Sequence, residues 1–231
     1  MPDNYPQELE IIRSTVIQTL DDPFMQNRLM RCRFTSRCNS SYCPFCCIER
    51  GRDRKRRILG TVSNVRHHPR FVTFTTRDVP IEQLRETSRE LMACTRLVME
   101  RLRVAGHVQC LEVSFRDGGE YHPHTHTLVD TPSEGRSFLS KAAWQEEWLR
   151  ALPKDLHPPE GGVHAESVRS LEAVSDYITK SPFHAYVRER ERQLELVAVR
   201  RTVATIRATE GLQKINRRGS FGESAHCALA A

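Results

Sequence analysis

The sequence predicts an α+β fold in which helices pack on a mainly antiparallel sheet. From residue 70 onward, segments of strand and helix character follow in the order strand, helix, strand, strand, helix, strand, helix. The turn sequence RDGGE, residues 116–120, separates two strand-like segments, which is a strong signal for an antiparallel hairpin. Hairpin strands with helices on either side of them along the chain are typical of an α+β sandwich.

Length and composition predict one substantial domain with a small module attached. The chain has 231 residues, of which 39% are hydrophobic and 28% charged. We expect residues 1–66 to form an N-terminal helix and a Cys-rich basic module, and residues 67–231 the larger domain with a basic helix near its end. No apolar run approaches the roughly 20 residues of a membrane span, and no export signal is visible. We therefore expect a cytoplasmic protein without a membrane partner.

The N-terminal module begins with a helical pattern and continues with cysteines. Residues 5–22 have apolar positions at helical spacing. Five cysteines then form C-x5-C-x4-C-P-x-C-C, and in a chain without an export signal they are better interpreted as metal ligands or buried thiols than as disulfides. The Cys-Pro-x-Cys portion has the spacing of a zinc knuckle, although the first spacing is long, so Cys47 or His67 could replace one ligand. We predict structural Zn²⁺ at Cys32, Cys38, Cys43 and Cys46.

Cys94, Cys110 and Cys227 are interpreted as bystanders, in the core or on the surface. They lie far along the chain from the cysteine cluster, and none has a metal-ligand spacing to another cysteine.

Basic residues are concentrated in two stretches. The formal charge is +6 and the pI about 9.0, which allows an anionic partner. Residues 28–70 and the segment LQKINRRGSFG, residues 212–222, combine arginine and lysine with aromatic side chains. This combination suits a phosphate backbone and unpaired bases. The predicted DNA contacts are Arg52, Arg54, Lys55, Arg56, Arg57, Arg217 and Arg218.

Local signals define the first half of the larger domain. Residues 70–76, RFVTFTT, have the β-branched and aromatic composition of a strand. Asp78 is positioned to cap the helix that follows. Residues 107–115 and 121–129 are the two strands of the hairpin.

The second half follows by the same signals. Ser140 is a candidate cap for a helix through KAAWQEEWLRAL, and GGVHAESV is a candidate fourth strand. Ser170 opens a helix that should end before Pro182, because proline disfavours helix at the residue before it. A last basic helix is predicted over residues 184–211.

Three histidines alternate along the second hairpin strand. Residues two apart in a strand share a face, so His122, His124 and His126 should lie side by side. Neutral imidazole binds divalent ions, and two or three on one face leave coordination positions open for substrate. The alternative is a His-rich exposed strand or a fortuitous metal trap.

Strand register decides whether Glu112 joins the histidines. A two-residue Gly118–Gly119 turn would place Glu112 opposite Thr125, on the wrong face. An odd-length loop with a glycine bulge would place it opposite His124 or His126. We favour the odd loop, because it separates the apolar side chains from the polar ones on both strands. Leu111, Val113 and Phe115 then face the core.

A tyrosine and a lysine share a helix face further on. In the segment SDYITK, Tyr177 and Lys180 are three residues apart. A phenol, with a pKa of about 10, needs a neighbouring cation or metal to act as a nucleophile. The pair by itself is weak evidence, and its combination with the histidine strand is what makes it informative.

Three motifs in this order resemble the rolling-circle replication initiator (Rep) proteins of small plasmids, members of the HUH endonuclease class. The residues that carry the resemblance are FVTFTT, then CLEVSF with HPHTHTLV, then VSDYITK. The cysteine-rich basic segment and LQKINRRGSFGE resemble the corresponding parts of those initiators. The resemblance covers residues 32–223 and implies a ferredoxin-like arrangement of the catalytic domain.

The resemblance implies roles for these residues. His124 and His126, with His122 or Glu112, would hold Mg²⁺ or Mn²⁺ against the scissile phosphate. Tyr177 would attack single-stranded DNA at a plasmid origin and form a 5′-phosphotyrosine link, while Lys180 would steady the phosphate. A host helicase and a polymerase would be partners.

The chain also departs from the family pattern. Thr125 stands between the ligand histidines, where the family usually has a bulky apolar residue. Many relatives end the cycle with a second tyrosine or a glutamate on the same helix. Here Tyr186 lies beyond Pro182, and Glu172 or Asp176 are the acids that could activate water instead.

Two other functions remain open from the sequence. A relaxase or single-strand transposase would share the nicking chemistry and differ in its DNA substrate. A non-catalytic zinc-dependent DNA-binding regulator would need the cysteines and arginines but not Tyr177.

Overall fold

The computed structural model describes residues 5–33, 36–62, 68–116, 118–131, 139–180, 183, 196–212 and 215–219. Its helices and strands, in chain order, are α1 (Tyr5–Thr19), α2 (Pro23–Met30), α3 (Pro44–Val62), β1 (His68–Thr75), α4 (Ile81–Arg101), β2 (Gly106–Phe115), β3 (Tyr121–Thr131), α5 (Lys141–Ala151), β4 (Val163–Ser167), α6 (Leu171–Thr179), α7 (Leu196–Ala208) and β5 (Ile215–Gly219). None of the helices in these ranges combines the length and the apolar composition that a membrane crossing requires.

The strands form one five-stranded antiparallel sheet in the order β4-β1-β3-β2-β5. This arrangement confirms the predicted α+β class with an antiparallel sheet. Strand β3 lies at the centre, between β1 and β2. As in any strand, side chains at alternate positions of β3 point to opposite faces of the sheet. Because β3 is central, they have a neighbouring strand on each side.

Two apolar clusters cover the two faces of the sheet. On one face, strand residues such as Phe74 and Val129 pack with α4 and with Trp144 and Trp148 of α5. On the other face, Leu128 packs with Ile178 of α6 and with Ile58, near the end of α3. The second cluster is smaller, so that face also has room for polar side chains.

The chain divides into two compact units. One contains residues 1–55 and 179–210, and the other contains residues 56–178 and 211–231. In the first unit, α1, α2, the start of α3 and α7 share a core that includes Ile12, Leu29 and Val203. The predicted domain division after residue 66 stays a prediction, because compactness by itself does not show which segments fold independently.

Several predicted boundaries are confirmed. Ser140 Oγ accepts a hydrogen bond from the Ala143 amide at 3.2 Å, and Ser170 Oγ accepts one from the Ala173 amide at 3.2 Å, so both serines cap the helices expected of them. Helix α6 ends at Thr179, before the proline. Of the predicted last helix, residues 184–195 lie outside the described residues, and α7 is the part that the structure describes.

One predicted cap is wrong. Helix α4 begins after Pro80, which provides no side-chain cap, and Asp78 lies two residues earlier. The Asp78 carboxylate instead lies 2.5 Å from His122 Nδ1. Residue 79 pairs with Tyr121 in an isolated bridge, and this pairing brings the chain next to the start of β3.

Candidate functional site

The three histidines lie on the same face of β3, as their alternation predicts. They share this face with Leu128, which packs against α6 and Ile58. Thr125 points to the opposite face, where its hydroxyl lies 3.0 Å from that of Thr95 on α4. The threonine between His124 and His126 is therefore a buried contact to α4 and does not reach the histidine face.

The hairpin register brings Glu112 to the histidines. Glu112 pairs with His124, and the Arg116 amide donates to the Glu120 carbonyl at 2.9 Å, which leaves three residues at the tip. Gly119 has a φ of +86°, the left-handed conformation that a glycine bulge requires. The prediction of an odd-length loop is confirmed. Residue 117 lies outside the described residues.

Glu112, His124 and His126 form a compact group of ligand atoms. Glu112 Oε2 lies 2.9 Å from His126 Nε2 and 3.5 Å from His124 Nε2. All three ligand atoms lie within 4.8 Å of one another. One carboxylate oxygen and two imidazole nitrogens can bind a divalent cation and leave coordination positions open, so the residues fit a metal site of the implied kind. The identity of the ion does not follow from this geometry.

His124 and His126 each have a polar contact at Nδ1, on the side of the ring away from Glu112, and these contacts orient the two imidazoles. His124 Nδ1 donates to the His122 carbonyl at 3.1 Å. His126 Nδ1 lies 3.0 Å from the Thr73 hydroxyl on β1. Each contact leaves Nε2 on the side of Glu112, which is the pattern of metal-ligating histidines held by outer partners. No local sequence signal identifies Thr73, because its position opposite His126 depends on the pairing of β1 with β3.

His122 has a different environment from the other two histidines. Its Nδ1 contacts Asp78, and its ring lies 5.4 Å from the His124 ring between centroids. Burial lowers the pKa of His122, and the contact with Asp78 partly opposes this shift. Of the two alternatives for a third ligand, the structure groups Glu112 with His124 and His126.

Tyr177 lies beside this group. Its ring is 4.7 Å from the His126 ring and 5.8 Å from the Phe71 ring between centroids, in edge-to-face contacts. Phe71 also stacks on His126 at 5.5 Å, so the three rings orient one another. Tyr177 is 42% exposed, which leaves it accessible to a polymer substrate.

The other predicted residues near Tyr177 lie on α6 or directly after it. Lys180 is the first residue beyond the helix and is half-buried. Glu172, in the first turn, and Asp176, next to the tyrosine, are exposed. Tyr186 lies outside the described residues.

The four predicted zinc ligands converge in the first unit. The sulfur of Cys32 lies 3.6 Å from that of Cys43 and 3.7 Å from that of Cys46, and Cys38 lies 3.7 Å from Cys46. Tetrahedral zinc with Zn–S bonds of about 2.3 Å separates its sulfurs by about 3.8 Å. The sulfur positions therefore fit zinc, although they do not identify the ion.

Thiol ionisation also favours a cation at this cluster. Burial raises the pKa of Cys38 to about 11, and it raises the pKa of Cys43 as well. Burial opposes ionisation of Cys32 too, but hydrogen bonds from the Cys38 amide and neighbouring thiols lower its pKa. Buried neighbouring thiols become thiolates together only when a cation compensates their charge.

Cys47 lies outside the cluster. Its thiol donates to the Ser41 carbonyl at 3.0 Å, and Arg50 Nη2 approaches its sulfur at 3.3 Å. His67, the other alternative ligand, is outside the described residues, as is Cys227. Cys94 is buried, and Cys110 packs against the apolar cluster that contains Leu128.

The predicted DNA contacts lie on two elements. Five of them follow one another along α3, where Arg54, Arg56 and Arg57 are exposed and Arg52 contacts Glu49 at 2.5 Å. Arg217 and Arg218 lie on β5, whose backbone pairs with Val108 and His107 of β2. The sequence analysis did not predict that either segment is a regular element.

Comparisons with known proteins give one family and two relatives. The family model Rep_1, described as replication protein, matches residues 29–182. Protein rep of Bacillus amyloliquefaciens is 30% identical over 95 residues, which cover 38% of this chain and 28% of that protein. Protein rep of Bacillus sp is 28% identical over 95 residues, which cover 38% of this chain and 31% of that protein. The match thus spans less than a third of either relative. No solved structure matches the chain.

Proposed function

The chain belongs to the replication protein family whose model matches residues 29–182, and from this premise we propose that it initiates rolling-circle replication by nicking and rejoining one DNA strand at a plasmid origin. The observation that carries the proposal is the position of Tyr177, whose ring lies 4.7 Å from that of His126. A partly exposed phenol beside three converging ligand side chains suits attack on a phosphate.

Glu112, His124 and His126 would hold Mg²⁺ or Mn²⁺, and the ion would act as a Lewis acid on a phosphate oxygen. The protein contributes a ligand set whose orientation is fixed before DNA binds. Thr73 and the backbone carbonyl of residue 122 hold the two rings, and the hairpin register holds the carboxylate. This preorganisation reduces the reorganisation needed when substrate enters.

Tyr177 would be the nucleophile. Its phenolic oxygen forms a bond to the scissile phosphorus, the bond from phosphorus to the 3′-oxygen breaks, and the phenolic proton is lost as the 3′-oxygen gains one. The product is a 5′-phosphotyrosine link and a free 3′-hydroxyl from which a polymerase can extend. Because the phosphodiester energy is kept in the link, the reverse attack rejoins the strand.

Charged side chains near Tyr177 would serve the two cleavage steps. Lys180 follows α6 and would steady the charge that develops on the phosphate. Glu172 or Asp176 would activate water for the step that ends the cycle.

DNA binding would use the basic residues of α3 and β5, with the Cys32–Cys38–Cys43–Cys46 group binding Zn²⁺ to stiffen the N-terminal unit. Host helicase and polymerase would act on the nicked origin in the cytoplasm. A relaxase or a single-strand transposase would differ in the DNA sequence that it recognises, so cleavage of strands from the host replicon tests this distinction.

The experiment tests for a covalent adduct. Purified protein is incubated with single-stranded oligonucleotides from its replicon and Mn²⁺, and adducts that survive denaturation are mapped by mass spectrometry. We expect an adduct on Tyr177 that is absent with chelator and in Tyr177→Phe, because the variant lacks the attacking oxygen. Tyr42→Phe removes a phenolic oxygen elsewhere and should retain the adduct, as should Tyr186→Phe.

Absence of an adduct on every origin strand, with DNA binding intact, would contradict the nicking mechanism. That result would favour the non-catalytic zinc-dependent DNA-binding regulator instead. An adduct on Tyr186 would keep the chemistry and change the nucleophile.

A further inference from the structure

Helix α2 forms one wall of a cleft of about 460 Å³ in the first compact unit. Phe24, Asn27, Arg28 and Arg31 line this cleft at positions i, i+3, i+4 and i+7, and therefore share one face of the helix. The other face of α2 packs Leu29 into the core. Packing in the core therefore explains the residues on one face of α2. It does not explain the residues that line the cleft.

The side chains of the cleft face differ in how they are held. Arg28 donates from Nε and Nη2 to the Cys38 carbonyl at 3.0 and 2.6 Å, so its guanidinium is fixed at the cleft wall. Within the described residues, the side chains of Asn27 and Arg31 make no hydrogen bond or ion pair. The Phe24 ring is 74% exposed. An aromatic ring, an amide and a guanidinium are thus accessible together.

The charge of the cleft is positive. Arg28, Arg31 and Arg37 line it, and no carboxylate among the described residues does, although Arg37 contacts Glu49 at 3.1 Å. The cluster cysteines Cys32 and Cys38 also border the cleft. Four thiolates around one Zn²⁺ leave net negative charge, which the arginines could serve to neutralise. That role explains the fixed Arg28, but it does not explain an exposed phenylalanine beside an arginine without a partner.

We propose that this cleft binds one unpaired nucleotide of a DNA strand. Phe24 stacks on the base, Asn27 reaches a base edge, and Arg31 binds the adjacent phosphate. Cationic grooves with aromatic platforms bind single strands in this way, and duplex DNA does not offer a free base face for stacking. The proposal rests on the proposed function for the identity of the polymer but uses none of its nicking chemistry. Phe24, Asn27 and Arg28 precede the segment that the family model matches.

The experiment measures the affinity of the full chain for a labelled oligothymidylate by fluorescence anisotropy. Loss of a stacking platform weakens single-strand binding by about fivefold or more, so Phe24→Ala should show this loss and Phe24→Trp should restore binding. The matched control is Ile11→Ala on α1, which removes a side chain that is 55% exposed in the same unit. We expect it to bind as the wild type does.

Two further measurements separate base stacking from charge. On a strand with abasic sites, the difference between wild type and Phe24→Ala should disappear. Arg31→Gln should reduce the slope of log affinity against log salt by about 0.7, the value for one phosphate of a single strand. Arg200→Gln makes the same charge change at an exposed position of α7 and should leave the slope unchanged.

Photo-crosslinking of a strand that contains 5-iododeoxyuridine should place an adduct on Phe24. Equal affinities of wild type and Phe24→Ala would overturn the proposal, as would a crosslink pattern that excludes α2. An Arg31→Gln variant that loses zinc and keeps its salt slope would assign the arginines to the cysteine cluster instead. If the Phe24→Ala variant keeps wild-type affinity and still forms the Tyr177 adduct, the cleft proposal fails and the proposed function stands. If the wild type binds no single strand, both fail.

Discussion

At the scale of single residues, the candidate catalytic site depends on partners that hold the ligand rings. His126 Nδ1 contacts the Thr73 hydroxyl at 3.0 Å, while its Nε2 faces Glu112 at 2.9 Å. A ring held in this way keeps its ligand nitrogen in one orientation. We therefore assign Thr73 a positioning role that acts through His126.

We expect Thr73→Val to weaken Mn²⁺ binding by about 10- to 100-fold, because the isosteric side chain removes the hydrogen bond that orients His126. Titration calorimetry without DNA measures this affinity directly. Thr73→Ser keeps the hydroxyl and should bind Mn²⁺ within a few-fold of the wild type. Unchanged affinity in Thr73→Val would show that strand packing alone orients the ring.

At the scale of elements, helix α3 packs closely against another backbone segment at Gly51 but not at Gly60. A Cβ at Gly51 would lie 2.6 Å from the Thr179 carbonyl oxygen, whereas a Cβ at Gly60 would meet no described atom outside its own stretch of helix within 4 Å. The carbonyl is backbone and cannot rotate away. Gly51 thus permits a close approach that larger residues would prevent.

Gly51→Ala should lower the free energy of unfolding by about 1–3 kcal/mol, the usual cost of overpacking. Gly60→Ala, on the same helix, should raise it by about 0.5–1 kcal/mol, because alanine is the better helix former. Denaturant unfolding of both variants measures the difference. Similar changes in the two variants would contradict the close packing at Gly51.

The basic run on α3 gives a second prediction for this helix. Arg54 and Arg57 are exposed and three residues apart, so they lie on one face. If both contact phosphates of a single strand, the double variant Arg54→Gln/Arg57→Gln should reduce the salt slope of binding by about 1.4. Arg89→Gln/Arg150→Gln, on α4 and α5, makes the same change in net charge and serves as the control. An equal reduction in both variants would indicate a nonspecific charge effect.

At the scale of the whole molecule, the two candidate metal sites lie in different compact units. The cysteine group belongs to the unit of residues 1–55 and 179–210, and the Glu112–His124–His126 group to the other. Their ligand types also differ, since one group offers four thiolates, which favour zinc, and the other offers a carboxylate with two imidazoles. We therefore expect a ligand substitution at one site to abolish metal binding there and to leave metal binding at the other site intact.

We expect the wild type to bind about one Zn²⁺ per chain and Cys43→Ser to lose it, because a structural site needs all four ligands. Elemental analysis measures the ion, and thermal unfolding should show a lower Tm as binding free energy is lost. Cys47→Ser is the matched control, since its thiol contacts Ser41 and Arg50 outside the cluster. Zinc loss in Cys47→Ser with retention in Cys43→Ser would assign the ligands differently.

Local patterns determined much of this molecule by themselves. The alternation of His122, His124 and His126 places them on one face whatever the neighbouring strands are, because the period of a strand follows from its backbone angles. The caps at Ser140 and Ser170, the hairpin and the cysteine spacing are likewise short-range features. Helix α2 was missed because it is only 8 residues long, and α3 was missed because its cysteines and charged residues conceal the apolar spacing.

Only the tertiary structure decided which distant side chains meet. The sequence allowed Glu112 on either face and placed Asp78 as a helix cap, whereas strand pairing set Glu112 opposite His124 and the approach to β3 brought Asp78 to His122. Thr73 and His126 are 53 residues apart in the chain and adjacent only because β1 pairs with β3. Periodicity is a local property of the backbone. Register and strand order depend on hydrogen bonds and packing between separate segments, which no single segment encodes.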